Sequence, residues 1–315
     1  MKHTSVQIFG EVLFDHFPDG RQVLGGAPFN VAWHLAGFGA APRFISAVGA
    51  DAEGARIRAS MEDWGLITSC LQTDPEHPTG SVQVSLIDGE PSYDIVPERA
   101  YDFVRAPEDI APGGLLYHGT LALRGPVSAA TLDELKSAGP DLIFLDVNLR
   151  EPWWSLDQTR ELVTEADWVK LNRDELARLS DAAPEHEGWL ASDPDSRPAL
   201  VESAQRFLER HDLAGLIVTL GAEGALGLTQ DADPVLVAPP QALEVVDTVG
   251  AGDAFASVTL LGLIHGWPLA TILERAQAFA ARIVGQRGAT GTDRAIYEVP
   301  WKGSDDASVQ MTTPG

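Results

Sequence analysis

The chain has 315 residues, 44% of them hydrophobic and 22% charged, enough to bury the core of one large α/β domain or two average ones. Its 46 Asp and Glu against 22 Lys and Arg leave a formal charge of −24, a field that repels nucleic acid and anionic membranes and sets both aside as partners. The single cysteine, Cys70, excludes a disulfide framework and a Cys-rich zinc site, and the absence of a membrane-length or signal-like apolar run points to the cytoplasm.

In chain order, strand-like and helix-like segments alternate, which predicts a mainly parallel sheet flanked by helices. Val6–Phe14 reads as the opening strand, Phe29–Gly37 as a helix and Arg43–Val48 as a strand. Further strands are expected at Leu115–His118, Leu142–Val147, Trp168–Leu171 and Leu216–Leu220. Helices fit between them at Val127–Ala138, Ser155–Ala166, Arg173–Leu179 and Ser203–Arg210, and two Ala-rich helices, Ala251–Ile264 and Pro268–Val284, follow. One region breaks the alternation: Gly80–Ile87 and Ser92–Val96, joined by the turn Asp88-Gly89-Glu90, read as a hairpin. With Arg21–Leu24 they make a small antiparallel flap, a β lid drawn from about 11–25 and 80–105. Residues 1–302 read as a single domain, with a surface insertion over Asp181–Pro198 and a flexible tail from 303 to 315.

The segment that carries most chemistry is Asp247-Thr-Val-Gly-Ala-Gly-Asp-Ala-Phe255, after a strand-like stretch and at the opening of an apolar helix. Gly250 and Gly252 allow a tight turn and close approach of a ligand, and the first free N–H groups of the helix, those of Gly250, Ala251 and Gly252 among them, favour an anion. Asp253 falls in the first turn, where the helix dipole keeps a carboxylate ionised. A carboxylate beside an anion pocket fits a base that takes the proton of a hydroxyl attacking a bound phosphoryl group. An ordinary helix start would use the same letters. A dinucleotide fingerprint fails at Phe255, where Gly or Ala is needed.

Asp247–Asp253 resembles the second signature of the ribokinase-type (PfkB) sugar kinases, and Gly25-Gly26-Ala27-Pro28-Phe29-Asn30-Val31-Ala32 resembles their first. Two separated signatures in order are more specific than either alone, and the resemblance runs from Gly10 to about Thr292. It implies a ribokinase-like fold with a small β lid, and Asp253 as catalytic base. It also implies that Asp15, ending Gly10-Glu-Val-Leu-Phe-Asp15, accepts hydrogen bonds from sugar hydroxyls, that sugar lies against Gly25 and Gly26, and that Asn30 bridges two hydroxyls. A turn residue for Asp15 and a helix cap for Asn30 are the plain alternatives. All three asparagines of the chain, Asn30, Asn148 and Asn172, fall in such segments. Leu145-Asp-Val-Asn-Leu-Arg150 is similar to a fructokinase segment, with Val147 in place of its proline. Arg150 there holds phosphate or sugar, or makes a surface ion pair, and Arg99 in the lid is a further candidate.

At the nucleotide end there is no P-loop and no protein-kinase motif. Lys170-Leu-Asn172-Arg-Asp-Glu175 resembles the family's Asn-x-x-Glu motif, which implies that Asn172 and Glu175 organise Mg²⁺ through water; a capping box uses the same spacing. Thr219-Leu-Gly221-Ala-Glu-Gly224 looks like the ATP-side loop, Gln277 matches a position near adenine, and Asp247 with backbone of Gly288–Gly291 resembles a monovalent-cation site, which raises K⁺ as a cofactor beside Mg-ATP. The reading is an ATP-dependent sugar kinase, D-fructose to fructose 6-phosphate first, with ribose, 2-keto-3-deoxygluconate or another furanose-type sugar as alternatives. A non-catalytic sugar-sensing or scaffold protein on the same fold is the alternative of another class. A homodimer is the family expectation.

Overall fold

The computed structural model describes residues 5–87, 90–180, 197–239 and 245–301. The strands are β1 (Val6–Phe9), β2 (Leu13–His16), β3 (Gln22–Gly25), β4 (Arg43–Gly49), β5 (Leu71–Asp74), β6 (Gly80–Ile87), β7 (Glu90–Ile95), β8 (Leu115–His118), β9 (Leu142–Asp146), β10 (Trp168–Asn172), β11 (Gly215–Thr219), β12 (Ala225–Thr229) and β13 (Ala232–Val237). The helices are α1 (Ala27–Gly37), α2 (Ala52–Trp64), α3 (Pro126–Ser137), α4 (Leu156–Thr164), α5 (Arg173–Leu179), α6 (Arg197–Arg210), α7 (Ala251–His265) and α8 (Leu269–Val284).

Nine strands form one sheet in the order β13-β12-β11-β10-β9-β8-β1-β4-β5, parallel except for the pairs β11–β12 and β12–β13. Alternation along each strand feeds two cores. Ile8, Phe44, Tyr117, Phe144 and Ile217 meet α1, α2, α7 and α8 on one face. Phe9, Ile45, Leu116, Leu145 and Leu216 meet α3 to α6 on the other. Strand order reverses between β1 and β8, and the carboxyl ends of the strands there open onto a cleft, the usual ligand position in such sheets.

The expected flap exists as a second sheet in the order β3-β2-β6-β7, in which β2 runs parallel to β6 and both outer pairs are antiparallel. The single opening strand expected over Val6–Phe14 is instead two strands in different sheets. The chain leaves the main sheet at Gly10, where φ is +150° and a Cβ would stand 2.4 Å from Pro28 Cγ, so only glycine lets α1 approach this closely. The strand expected before Asp247 is absent over 245–249, which forms a loop; residues 240–244 lie outside the described ones. The turn at Asp88-Gly89, most of the Asp181–Pro198 insertion and the tail also lie outside them.

A buried ion pair fastens the return from the small sheet. Arg124 Nε donates to Asp102 Oδ1 at 2.8 Å, and Nη2 donates to the Val96 carbonyl and the Tyr101 hydroxyl, both at 2.7 Å. The Arg124 and Asp102 side chains are 5% and 6% exposed. Removing one member strands the other charge in the interior, so Arg124→Ala should cost about 3–5 kcal/mol in urea unfolding, and a loss under about 1 kcal/mol would contradict this account.

Candidate active site

The cleft at the strand ends encloses about 660 Å³ and is bounded by both sheets, the start of α1 and the start of α7. It gathers Asp15, Gly25, Gly26, Asn30, Asn148, Arg150, Asn172, Glu175, Thr219, Gly250, Gly252 and Asp253, residues spread over most of the chain. Arg99, Gly221, Gly224, Asp247, Ala251 and Gln277 fall outside this lining.

Gly250 is the N-cap of α7 at φ +81°, and a Cβ there would stand 2.3 Å from that of Ala289. The turn therefore needs glycine twice over, for its backbone angle and for the neighbouring loop. The Ala251 amide donates to Thr248 O at 3.3 Å, which leaves the amides of Gly252 and Asp253 as the first-turn donors without a helical acceptor.

The decisive contact joins the two helix starts: Asn30 Nδ2 donates to Asp253 Oδ2 at 2.7 Å, across 223 residues of sequence. Burial outweighs the helix dipole at Asp253. It raises the carboxyl to about 6, with Asn30 pulling it down, Asp146 pushing it up, and Lys170 and Arg150 pulling it down. A carboxyl raised to about 6 still ionises at neutral pH, so burial offsets the helix dipole without removing the expected charge.

Two further carboxylates share the cleft. Burial raises Asp15 to about 6, against the pull of His16 and Arg150. Glu11 is 3% exposed and rises to about 7 through burial, partly offset by the amides of Glu11 and Ala27. Glu11 Oε2 and Asn30 Oδ1 are buried acceptors without a partner. Sequence reading passed over Glu11, although its place at the end of β1 carried the signal.

Asn172 and Glu175 form the capping box, with Glu175 N donating to Asn172 Oδ1 at 2.9 Å and Asn172 N to Glu175 Oε2 at 2.8 Å. Glu175 Oε1 also accepts from Leu149 N at 3.0 Å, so both oxygens are committed to backbone. Burial raises its pKa, less the pull of those two amides. Beside them Lys170 Nζ donates to Asp146 Oδ1 at 2.6 Å, a buried pair that sequence reading also passed over. Of the outlying candidates, Gly224 is fixed by its turn, since a Cβ there would lie 1.9 Å from Val237 O. Asp247 accepts from Val249 N at 3.0 Å and Gly288 N at 3.1 Å. Arg99 starts a short 3₁₀ turn, its amide donating to Asp102 Oδ2 at 3.0 Å, and Gln277 is half-buried on α8.

Residues 3–295 match the pfkB family carbohydrate kinase model. This chain belongs to that family. Among relatives, a fructokinase of Klebsiella pneumoniae is 31% identical, the match covering 90% of this chain and 94% of that protein. An aminoimidazole riboside kinase of Salmonella typhimurium is 29% identical, with 91% of each covered. A fructokinase structure from Vibrio cholerae O395, bound to fructose, ADP and calcium ion, superposes with TM-score 0.77 at 27% identity, over 94% of this chain and 99% of that one. The mostly parallel sheet with its small second sheet is the fold expected of a pfkB kinase. Among the described residues no helix is long and apolar enough to cross a membrane.

The raised cleft carboxyls give the pfkB fold a pH signature. A group with a folded pKa above its unfolded value stabilises fully below the unfolded pKa and loses that contribution as pH rises through the folded one. For Glu11 the window runs from about 4.5 to about 7. In urea titrations at pH 4.5 and pH 7.5, wild type should lose about 3 kcal/mol relative to Glu11→Gln across that window. A difference that stays constant would place Glu11 in solvent.

Proposed function

We propose that this chain transfers the γ-phosphoryl group of Mg-ATP to a small sugar, with D-fructose to fructose 6-phosphate as the first substrate reading and residues 1–302 acting as one unit under a β lid. The observation that carries the reading is the Asn30–Asp253 hydrogen bond, which brings both signature segments to one point of the cleft. Glu11, Asp15, Asp253 and the open Asn30 Oδ1 make the cleft rich in acceptors. Such a wall is satisfied by a ligand that brings several O–H donors, as a sugar does.

In the proposed step the acceptor hydroxyl attacks the γ-phosphorus, and its proton passes to Asp253, whose Oδ2 is already held by Asn30. A new bond forms from the sugar oxygen to phosphorus, the bond to the β–γ bridging oxygen breaks, and ADP leaves with that electron pair. The amides at the start of α7 steady the charge of the moving group. Asp15, Gly25, Gly26, Asn148 and Arg150 would hold the sugar, and Asn172, Thr219 and the Gly221 loop the nucleotide. Mg²⁺ would arrive carried by the phosphates, and Glu175, whose two oxygens each accept from a backbone amide, would hold it through water and help offset the phosphate charge. The Asp247 carboxylate beside the turn at Gly288 suits a monovalent cation such as K⁺. A riboside is the second acceptor class, favoured by the match to an aminoimidazole riboside kinase.

The test is ADP release with Mg-ATP against fructose, ribose, 2-keto-3-deoxygluconate, mannose and aminoimidazole riboside. Sugar-dependent release with fructose well ahead is the expected result, and release indifferent to every acceptor would refute the reading. Asp253→Asn should fold, bind both ligands and lose roughly 10²- to 10⁴-fold in kcat, whereas near-normal turnover would remove Asp253 from the role of base. Because the base works only when ionised, kcat/KM should fall as pH drops through about 6. An acid limb far below that value would assign the limb to another group.

A further inference from the structure

We propose that Lys170 is the fixed cation of the phosphoryl-transfer site, aimed by Asp146 and, behind it, by Tyr117; this rests on the sugar-kinase reading above. Lys170 and Asp146 are register partners on neighbouring strands β10 and β9. Two residues earlier on each strand, Trp168 and Phe144 also pair, and both belong to the core that α7 covers. Alternation therefore turns Lys170 and Asp146 toward α7 as well, at the point where the apolar layer gives way to the cleft. Nζ lies 3.6 Å from the position a Cβ would take on Gly252, so the amine stands at the entrance of that helix. Tyr117 donates its hydroxyl to Asp146 Oδ2 at 3.0 Å, and the two Asp146 oxygens are thereby divided between Tyr117 and Lys170.

The side chains of Lys170 and Asp146 are 8% and 5% exposed. A buried ion pair is a poor device for stability, because well-packed apolar residues of similar volume do as well or better. Leucine or valine would extend the layer begun by Phe144 and Trp168. Instead a chain with four lysines in all sets one of them in the wall of a cleft otherwise rich in carboxylates. Burial works against its charge, but Asp146, and beyond it Asp253 and Glu175, hold its pKa above the ordinary value, so the ammonium persists at every physiological pH. Among the described residues Asp146 is its hydrogen-bond partner, which leaves two of three N–H donors for a ligand. The ligand chemistry that fits is a phosphoryl group, whose equatorial oxygens carry the charge during transfer. Lys170 neither gains nor loses a proton in the step; it offsets charge, and Asp146 and Tyr117 act as positioning residues.

The experiment compares wild type, Lys170→Met, Lys170→Arg and the all-apolar triple variant Tyr117→Phe/Asp146→Leu/Lys170→Met. Urea unfolding, kcat, KM for sugar and the affinities for ADP and for ADP with aluminium fluoride plus sugar are measured on each. Lys170→Met should lose about 10²- to 10³-fold in kcat, the range for removing one preorganised donor, with sugar KM changed less than about threefold. The triple variant should regain stability and stay as slow, and Lys170→Arg should recover part of the rate. Affinity for the ADP–aluminium fluoride complex should fall at least about tenfold more than affinity for ADP, a difference that a purely structural pair would not produce. A triple variant within about threefold of wild-type kcat would overturn the inference and leave the kinase reading intact. If the triple variant does not fold, equal losses for ADP and ADP–aluminium fluoride in Lys170→Met overturn it instead. Wild type that releases no sugar-dependent ADP would sink the kinase reading, and this inference with it.

Discussion

The architecture turns on one hydrogen bond between two helix starts. Asn30 is in the first turn of α1 and Asp253 in the first turn of α7, and their 2.7 Å contact brings the two helix ends to the same point of the cleft. Each start is made possible by glycine: Gly26 before α1 at φ +113° and Gly250 before α7 at φ +81°. At Gly26 a Cβ would stand 2.7 Å from Glu11 O, so the loop after β1 and the start of α1 interlock through backbone alone. Behind them, α1 and α7 share one apolar core with β1, β8 and β9, and that layer holds the separation at which a side-chain amide can reach a carboxylate.

The rest of the site is organised by charge in a partly buried cleft. Glu11, Asp15 and Asp253 all have raised pKa values, and in each case burial is the largest cause. These carboxyls therefore hold protons more tightly than free ones would, and a ligand that donates hydrogen bonds would relieve part of the cost of burying them. Lys170 supplies the compensating sign beside Gly252, at the same helix start as Asp253.

Much of this was legible in the letters of the sequence. The strands β4 and β8 to β11 and the helices α1, α3, α5, α7 and α8 appear close to their expected limits, because long apolar stretches with helical or strand periods report burial directly. Twelve of the candidate site residues share the cleft, since signature segments mark where backbone must turn toward a ligand. What escaped was set by tertiary contact. The helix α2 is polar along most of its length and shows only Ile57, Met61 and Trp64 to the core, while Asp51 caps it through Gly54 N at 2.8 Å. The division of Val6–Phe14 between two sheets depends on Pro28 of α1 pressing on Gly10. The partnership of Lys170 with Asp146 is a matter of strand register, which no local window of residues contains. The rise of the Asp253 carboxyl to about 6 escaped for the same reason: enclosure is a property of the whole fold.

The crowd of carboxylates at the sugar end has an effect on the far side of the reaction. In the proposed reaction an alcohol entering between Glu11, Asp15 and Asp253 would bring hydrogens to Glu11 Oε2 and Asn30 Oδ1, buried acceptors that lack them. Once that alcohol carries a phosphate, the same walls face a dianion, and like charges in a poorly hydrated space repel strongly. In the proposed reaction the groups that accept the alcohol's hydrogens would therefore repel the finished ester, so the lining that admits the precursor would favour departure of the product.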